Sequence, residues 1–222
     1  MSAAASASTA APKTILSTER PRLRKPLVLA SASPRRAALL RQVGVEAEVL
    51  PAELHEERAV PSTPDQYAEH LALAKARQVF RLRPQAIVVG ADTLVLCDDH
   101  ILGKPRDEED ARRMLRLLAG RAHRVVTGLA VVAEVAGEVR ERTTCVSATV
   151  DFDQMSESEI ADYVASGEPL DKAGAYAVQG RAAWFIRGIE GSYSNVVGLP
   201  LNALRRLLRE MGLEPRGPSE DA

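Results

Sequence analysis

The hydrophobic pattern of the chain alternates between the short apolar runs of strands and the wider spacing of amphipathic helices. Residues 27–30 and 86–89 are continuous apolar runs, which are typical of strands covered on both faces. The first run leads directly to Ser33 and Pro34, a serine N-cap followed by proline at the first helical position. Gly44 closes the helix, and alternation over 45–50 predicts a half-buried strand. The chain therefore begins as a β-α-β unit.

Helix-start signals and a long hairpin pattern predict the rest of the fold. Capping residues at Thr63, Asp107 and Ser156 predict helices that end near residues 83, 120 and 166. Apolar runs over 125–135 and 139–150 around a short polar turn predict a hairpin. A strand is predicted over 182–189, and a last helix over about 200–211. A parallel beginning followed by a hairpin predicts an α/β fold with a mixed, elongated sheet flanked by helices.

Composition narrows the class of protein. The chain has 222 residues, of which 45% are hydrophobic and 27% are charged, so one domain or two small lobes can bury a core. Its net charge of −1 argues against a general nucleic-acid binder, and no stable nucleic-acid binding is expected. Cys97 and Cys145 lie far apart without metal-type spacing, which favours a reducing cytoplasm. No apolar run approaches the roughly 20 residues that span a membrane, so we expect a soluble protein.

The two ends of the chain differ in composition from the rest. Residues 1–25 are rich in Ala, Ser and Thr, which predicts a disordered tail. Their acid-poor, Ser-rich character also resembles an organelle transit peptide, although the arginines are bunched over 20–24. Residues 213–222 are predicted to be a frayed tail. The folded part is therefore expected over 26–212.

The turn after the first strand is the first candidate binding site. Ser31 and Ser33 supply hydroxyls, and Arg35 and Arg36 supply guanidinium groups, beside the N–H groups of a helix start. Such a turn attracts phosphate groups. An ordinary capped helix with solvated arginines is the alternative, and the spacing is not that of a P-loop.

Asp92 follows the second apolar run, where it would lie at the carboxyl end of a central strand. Ligands of open α/β sheets bind at that edge, although an aspartate that only caps a turn would look the same. Lys104 returns toward the same region after a turn, and Lys75 is expected at the edge of the buried face of its helix. Between these elements, an acidic loop with His55 and Glu56 could bind a metal or could simply be solvated.

The stretch 168–180 is dense in polar residues and glycine, as functional loops often are. Asp171 and Lys172 could form a surface pair. Gln179 has the donors and acceptor needed to contact the edge of a base.

Taken together, these motifs resemble the Maf family of nucleoside triphosphate pyrophosphatases, which is related to the inosine triphosphatase superfamily. Five motifs in order carry the resemblance: Ser31-Ala32-Ser33-Pro34-Arg35-Arg36, Gly90-Ala91-Asp92-Thr93, Gly103-Lys104-Pro105-Arg106-Asp107, Asp171-Lys172-Ala173-Gly174-Ala175-Tyr176 and Gly191-Ser192-Tyr193-Ser194-Asn195-Val196-Val197-Gly198-Leu199-Pro200. The resemblance implies two lobes around a cleft and a homodimer. It also implies Mg²⁺ or another divalent cation such as Mn²⁺ or Co²⁺, and hydrolysis of a nucleoside triphosphate to the monophosphate and pyrophosphate.

The resemblance also implies roles for single residues. The phosphate-contacting positions of the family fall on Ser31, Arg35, Arg36, Lys75 and Lys104. Its acidic positions fall on Glu56 and Asp92, of which Asp92 is interpreted as the base and Glu56 as a metal ligand. The two roles are not separable from the sequence, so both carboxylates count as catalytic and as metal ligands. Lys75 and Lys104 complete the expected catalytic set. Cations along the triphosphate would offset the charge that develops during attack of water on the α-phosphorus.

Three positions resemble the branch of the family that acts on dTTP and UTP: Arg36, Thr93 and Gln179. An amide side chain at Gln179 pairs well with the O4 acceptor and N3 donor of such a pyrimidine. Ala177 departs from the usual family pattern, in which glycine stands at this position. A non-catalytic nucleotide sensor that restrains cell division is the alternative function, and a nucleic-acid-binding module is weakened by the near-zero net charge.

Overall fold

The computed structural model describes residues 23–53 and 63–215. The helices are Pro34–Gln42 (α1), Pro64–Leu82 (α2), Glu108–Leu118 (α3), Glu157–Ala165 (α4), Tyr193–Val197 (α5) and Leu201–Glu210 (α6). The strands are Leu23–Lys25 (β1), Leu27–Leu29 (β2), Glu48–Val49 (β3), Ile87–Cys97 (β4), His100–Leu102 (β5), Ala122–Val135 (β6), Glu138–Phe152 (β7), Ile186–Glu190 (β8) and Leu213–Pro215 (β9). Short 3₁₀ helices cover Glu168–Asp171, Ala173–Ala175 and Arg181–Phe185. Among the described helices, none is long and apolar enough to cross a membrane.

In the part of the chain that the structure describes, one sheet of seven strands forms the centre. Its order is β3-β2-β4-β6-β7-β8, and β5 lies beside β4. Strand β2 pairs in parallel with β3 and β4, whereas β4, β6, β7 and β8 pair antiparallel with one another in sequence. The predicted α/β class, with a mixed sheet flanked by helices, is confirmed. The β-α-β start supplies the parallel part and the long hairpin supplies the antiparallel part.

Strand β4 has an open stretch along one of its two edges. One edge pairs with β6 from Val88 to Leu96. The other edge pairs with β2 only over Ile87–Val89 and with β5 only over Val95–Cys97. No described strand covers the intervening residues on this edge, so a ligand can approach the main chain and side chains of β4 there.

Helix α2 covers one face of the sheet at unusually short range. A Cβ atom added to Gly90 of β4 would lie 2.1 Å from the carbonyl oxygen of Ala72, and one added to Gly128 of β6 would lie 2.1 Å from that of Ala68. Ala68, Ala72 and Ala76 are fully buried and recur every fourth residue, so they form the contacting stripe of the helix. The two glycines therefore allow the backbone of α2 to rest directly on β4 and β6.

The opposite face carries two apolar clusters with a polar band between them. One cluster joins β2, α1 and α6 around Leu29 and Leu204, and the other joins α3, α4 and the ends of β4 and β7 around Leu115 and Phe152. In the register of β4 with β6, the pair Thr93 and Thr127 lies between the two clusters. Two packed regions therefore meet at a polar seam.

Three predictions about local structure differ from what is observed. The predicted strand over 182–189 begins as the 3₁₀ helix Arg181–Phe185, because Glu168 Oε2 accepts from the Arg181 N–H and Gly180 O accepts from the Ala183 N–H. The strand predicted over 45–50 shrinks to Glu48–Val49, whose side chains are both exposed. At the ends, β1 and β9 pair in parallel. Ordered structure therefore includes 23–25 and 213–215, which the sequence assigned to the tails.

Candidate active site

A cleft of about 930 Å³ opens at the uncovered edge of β4. Its volume is in the range of pockets for small ligands. The turn after β2, helix α2, strand β4 and the loops around residues 103 and 172 all contribute to its wall. Seven of the residues predicted as site residues line it: Ser31, Arg35, Arg36, Lys75, Asp92, Thr93 and Lys104. Residues more than 70 positions apart in sequence thus meet in one cavity.

Asp92 forms the most direct charged contact in the cleft. Its Oδ1 lies 2.5 Å from Nζ of Lys75, which α2 presents from above the sheet. The two side chains are 16% and 25% exposed, so the pair is shielded but still reachable by a ligand. Lys75 can contact Asp92 because α2 packs closely on Gly90. Lys75 follows Ala72 by one helical turn, and Asp92 follows Gly90 on the same face of β4.

Two further cations project into the cleft without a close partner. Within residues 23–53 and 63–215, neither Arg35 nor Lys104 makes a hydrogen bond or an ion pair. Arg35 is half-buried and lies near enough to Asp171 to lower the pKa of that carboxyl group. The loop that carries Lys104 is tied to the 173–175 segment by a hydrogen bond from the Gly174 N–H to the carbonyl of Gly103. Both cations are available to an anionic ligand.

Arg36, in contrast, is occupied by the protein itself. Its Nε donates to Gly198 O at 2.7 Å, and its Nη1 donates to Ala91 O at 2.9 Å. The same guanidinium also contacts two hydroxyls, with Nη1 2.8 Å from Ser31 Oγ and Nη2 3.0 Å from Thr93 Oγ1. Burial lowers the pKa of Arg36 to about 10, partly offset by the charge of Asp92, so the group stays cationic at neutral pH. The expected direct phosphate contact would have one N–H left for it, since the other four are used.

Thr93 lies on the opposite face of β4 from Asp92, although the two residues are adjacent in the chain. Its Oγ1 is 2.9 Å from Oγ1 of Thr127, which in turn donates to the carbonyl of Asn195 at 3.2 Å. Thr127 and Asn195 are fully buried. Sequence reasoning missed both, because a single threonine in an apolar strand carries no signal of its partner.

Two of the predicted site residues, Gln179 and Glu56, are not found in the lining of the described cleft. Gln179 is exposed and is not among the residues that line the cleft, although its neighbour Val178 is. Glu56, with the acidic loop around it, lies outside the described residues. Asp171 and Lys172, for which a surface pair was the competing interpretation, do pair with each other and both line the cleft. Burial is the largest single influence on the pKa of Asp171 and raises it, but the hydrogen bond and charge of Lys172 together with the charge of Arg35 outweigh burial, so the pKa is lowered.

A buried histidine supports the wall of the cleft from behind. Nε2 of His123 lies 2.8 Å from the hydroxyl of Tyr176, and Tyr176 lines the cleft. Both rings pack against Phe152 with centroids within 5.9 Å. Burial lowers the pKa of His123 to about 4, so this histidine is neutral at physiological pH. The pair holds the 173–177 segment against β6.

The chain is similar to known proteins over most of its length. The family model described as Maf-like protein matches residues 26–211. A protein of Exiguobacterium sibiricum is 47% identical over 190 residues, which cover 86% of this chain and 94% of that protein. A protein of Syntrophus aciditrophicus is also 47% identical, over 86% of this chain and 92% of its own length, and one of Geobacter sp. strain M21 is 49% identical over 84% and 95%. Each of the three is named dTTP/UTP pyrophosphatase.

Proposed function

Because this chain belongs to the Maf family, we propose that it is a nucleoside triphosphate pyrophosphatase that hydrolyses dTTP and UTP to the monophosphate and pyrophosphate. One observation carries the proposal: Asp92 stands at the open edge of β4, paired with Lys75, in a cleft where Arg35 and Lys104 have no close partner in the described chain. A carboxylate in a cleft whose cationic side chains outnumber its acidic ones suits a substrate that is polyanionic and is attacked by water.

The reaction assigns a task to each of these groups. Water attacks the α-phosphorus, the bond from that phosphorus to the bridging oxygen breaks, and pyrophosphate leaves. Asp92 accepts the proton of the attacking water, and Lys75 orients the carboxylate through their contact. Arg35 and Lys104 offset the charge that builds on the phosphate oxygens and on the leaving group. Modified pyrimidine triphosphates would fit the same chemistry.

A divalent cation fits the donor set of the cleft in one particular way. The described residues hold no group of three or more His, Cys, Asp or Glu side chains that could bind a metal. Mg²⁺ commonly uses one or two carboxylates together with substrate phosphates. Asp92, with Glu56 from the acidic loop, would hold Mg²⁺, or Mn²⁺ or Co²⁺, in that manner. When bound, the cation would neutralise triphosphate charge and stabilise the leaving pyrophosphate.

Incubation of the purified protein with Mg²⁺ and a panel of triphosphates tests the proposal. We expect pyrophosphate and monophosphate in equal amounts, fastest from dTTP and UTP, and none after chelation of the metal. Release of orthophosphate with a diphosphate would exclude attack at the α-phosphorus. A non-catalytic sensor of nucleotides in cell division is not favoured, since the curated relatives carry the name of an enzyme.

Three further expectations accompany the proposal. The homodimer that the family resemblance implies can be checked by light scattering of the purified protein. Binding of single- or double-stranded nucleic acid is not expected. The two cysteines are free thiols, which supports the reducing cytoplasm as the place of action.

A further inference from the structure

Arg36 donates hydrogen bonds to two hydroxyl groups of the cleft, those of Ser31 and Thr93. In their other hydrogen bonds, one of these hydroxyls accepts and the other donates. Oγ of Ser31 accepts from Arg36 at 2.8 Å and from the N–H of Ser33 at 3.3 Å. A hydroxyl has two lone pairs and one proton. Both lone pairs of Ser31 are therefore in use, and only its proton is left for a ligand. That suits a phosphate oxygen, which can only accept.

Thr93 has the reverse arrangement. The carbonyl of Asn195 can only accept, so the 3.2 Å contact with Thr127 uses the single hydroxyl proton of Thr127. Thr127 must then accept in its 2.9 Å contact with Thr93, which means that Thr93 donates its own proton to Thr127. Arg36 occupies one lone pair of Thr93. Only a second lone pair remains for the cleft, so Thr93 can accept from a ligand but cannot donate to one.

An acceptor of this kind cannot bind phosphate oxygens, and it requires a ligand that donates. We propose that N3 of the base faces Thr93 and that Thr127, held by the carbonyl of Asn195, fixes Thr93 as an acceptor. The site thereby selects uracil and thymine, whose N3 carries a proton, over cytosine, whose N3 accepts. Thr127 is then a positioning residue that acts through Thr93. This inference rests on the proposed function and adds the source of its base preference.

The amide of Gln179 does not supply this discrimination by itself. A glutamine side chain offers both a donor and an acceptor, and it can turn to present either one to either pyrimidine. Thr93 lacks that freedom, because its two hydrogen-bond partners, Arg36 and Thr127, are part of helix α1 and strand β6. Asn195 is itself anchored, since its Nδ2 donates to the carbonyl of Val125 at 2.9 Å and its carbonyl also accepts from the Gly198 N–H.

The test compares kcat/KM for UTP and for CTP by pyrophosphate release. Thr127→Val has nearly the same shape as threonine but cannot accept, so the Thr93 proton turns toward the cleft. We expect the ratio of UTP to CTP to fall about tenfold, which is the cost of one mismatched hydrogen bond. Thr127→Ser should retain the wild-type ratio within about twofold. Thr149→Val, the same substitution on the neighbouring strand and outside the cleft lining, should leave the ratio unchanged.

A substrate analogue provides a second readout. UTP methylated at N3 lacks the donor, so the wild type should discriminate strongly against it and Thr127→Val should discriminate less. If Thr127→Val does not fold, as judged by circular dichroism and melting, Thr93→Val must lower the ratio of UTP to CTP instead. A folded Thr127→Val protein with the wild-type ratio would overturn the inference while leaving the proposed function intact. A wild-type protein that releases no pyrophosphate from UTP or dTTP would overturn the proposed function itself.

Discussion

Asp92 and Thr93 are neighbours in β4, yet their side chains enter different environments on the two faces of the sheet. On the Asp92 face, α2 brings Lys75 to within 2.5 Å of the carboxylate, and the contact is between full charges. On the Thr93 face, one half-buried arginine is surrounded by neutral acceptors, and the contacts continue through Thr127 to a carbonyl. Both faces open into the same cleft.

The two faces of β4 are suited to two different tasks within one site. Charge on the Asp92 face can move a proton and attract a polyanion, and modest exposure keeps it accessible to solvent and substrate. The Thr93 face contains directional hydrogen bonds in a largely buried setting, where fixed partners leave Thr93 one acceptor position and geometry decides which ligand fits. Two successive residues of a strand can serve both tasks because their side chains alternate.

Removal of the Asp92 carboxylate should have the largest effect. Asp92→Ala is expected to lower kcat by about 10²-fold or more, the range for a lost general base, with the fold intact. Asp99→Ala serves as the control, since Asp99 lies in an exposed turn outside the cleft lining. Steady-state kinetics with dTTP measure kcat, and circular dichroism measures whether the fold is retained. A folded Asp92→Ala protein with wild-type turnover would remove Asp92 from the reaction.

The second prediction concerns the distance between α2 and the sheet. A methyl group at Gly128 would overlap the Ala68 carbonyl, so Gly128→Ala must push α2 outward and separate Lys75 from Asp92. Since a displacement of about 1 Å can cost up to about 10²-fold, we expect kcat to fall by some tens of fold. Gly188→Ala is the matched control, because Gly188 also lies in a strand but has open space around it. Wild-type kcat in a folded Gly128→Ala protein would show that helix position does not set the charged contact.

The strand that carries Asp92 could be predicted from the sequence, whereas the hydrogen-bond partner of Thr93 could not. The apolar run before Asp92 and the caps at Thr63, Asp107 and Ser156 predicted their elements, because those signals are local. The partner of Thr93 could not be predicted, since the pairing of Thr93 with Thr127 depends on the register of a strand 34 positions away. The same holds for β1 and β9, which pair across nearly the whole chain. Long-range pairing leaves little trace in a local pattern.

A change of pH tests whether the Thr93 face depends on neutral side chains. His123 lies on that face, and its pKa of about 4 is below the ordinary value of about 6.5. The unfolded chain therefore binds a proton more readily, so the stability that the neutral imidazole contributes is complete above about pH 6.5 and is lost as pH falls toward 4. We expect a loss of about 2 kcal/mol in the free energy of unfolding between pH 7 and pH 5 from this group.

Chemical denaturation at the two pH values measures this term by difference. His123→Gln keeps a polar side chain of similar reach but does not titrate, so its stability should change less than that of the wild type over the same interval. Other groups that titrate between pH 5 and 7 contribute equally to both proteins. Equal losses for the two proteins would mean that His123 is as readily protonated in the fold as in the unfolded chain.

The smallest effect is expected at Gln179, which belongs to neither face. Gln179→Glu exchanges an amide that can donate to O4 of uracil or thymine for a carboxylate that only accepts. Since Gln179 is exposed, water can replace the lost contact, and the preference for UTP over CTP should weaken by only about threefold to fivefold. Gln154→Glu, an exposed residue outside the cleft lining, is the control. If Gln179→Glu abolished the preference while Thr127→Val left it intact, the loop and not the Thr93 face would read the base.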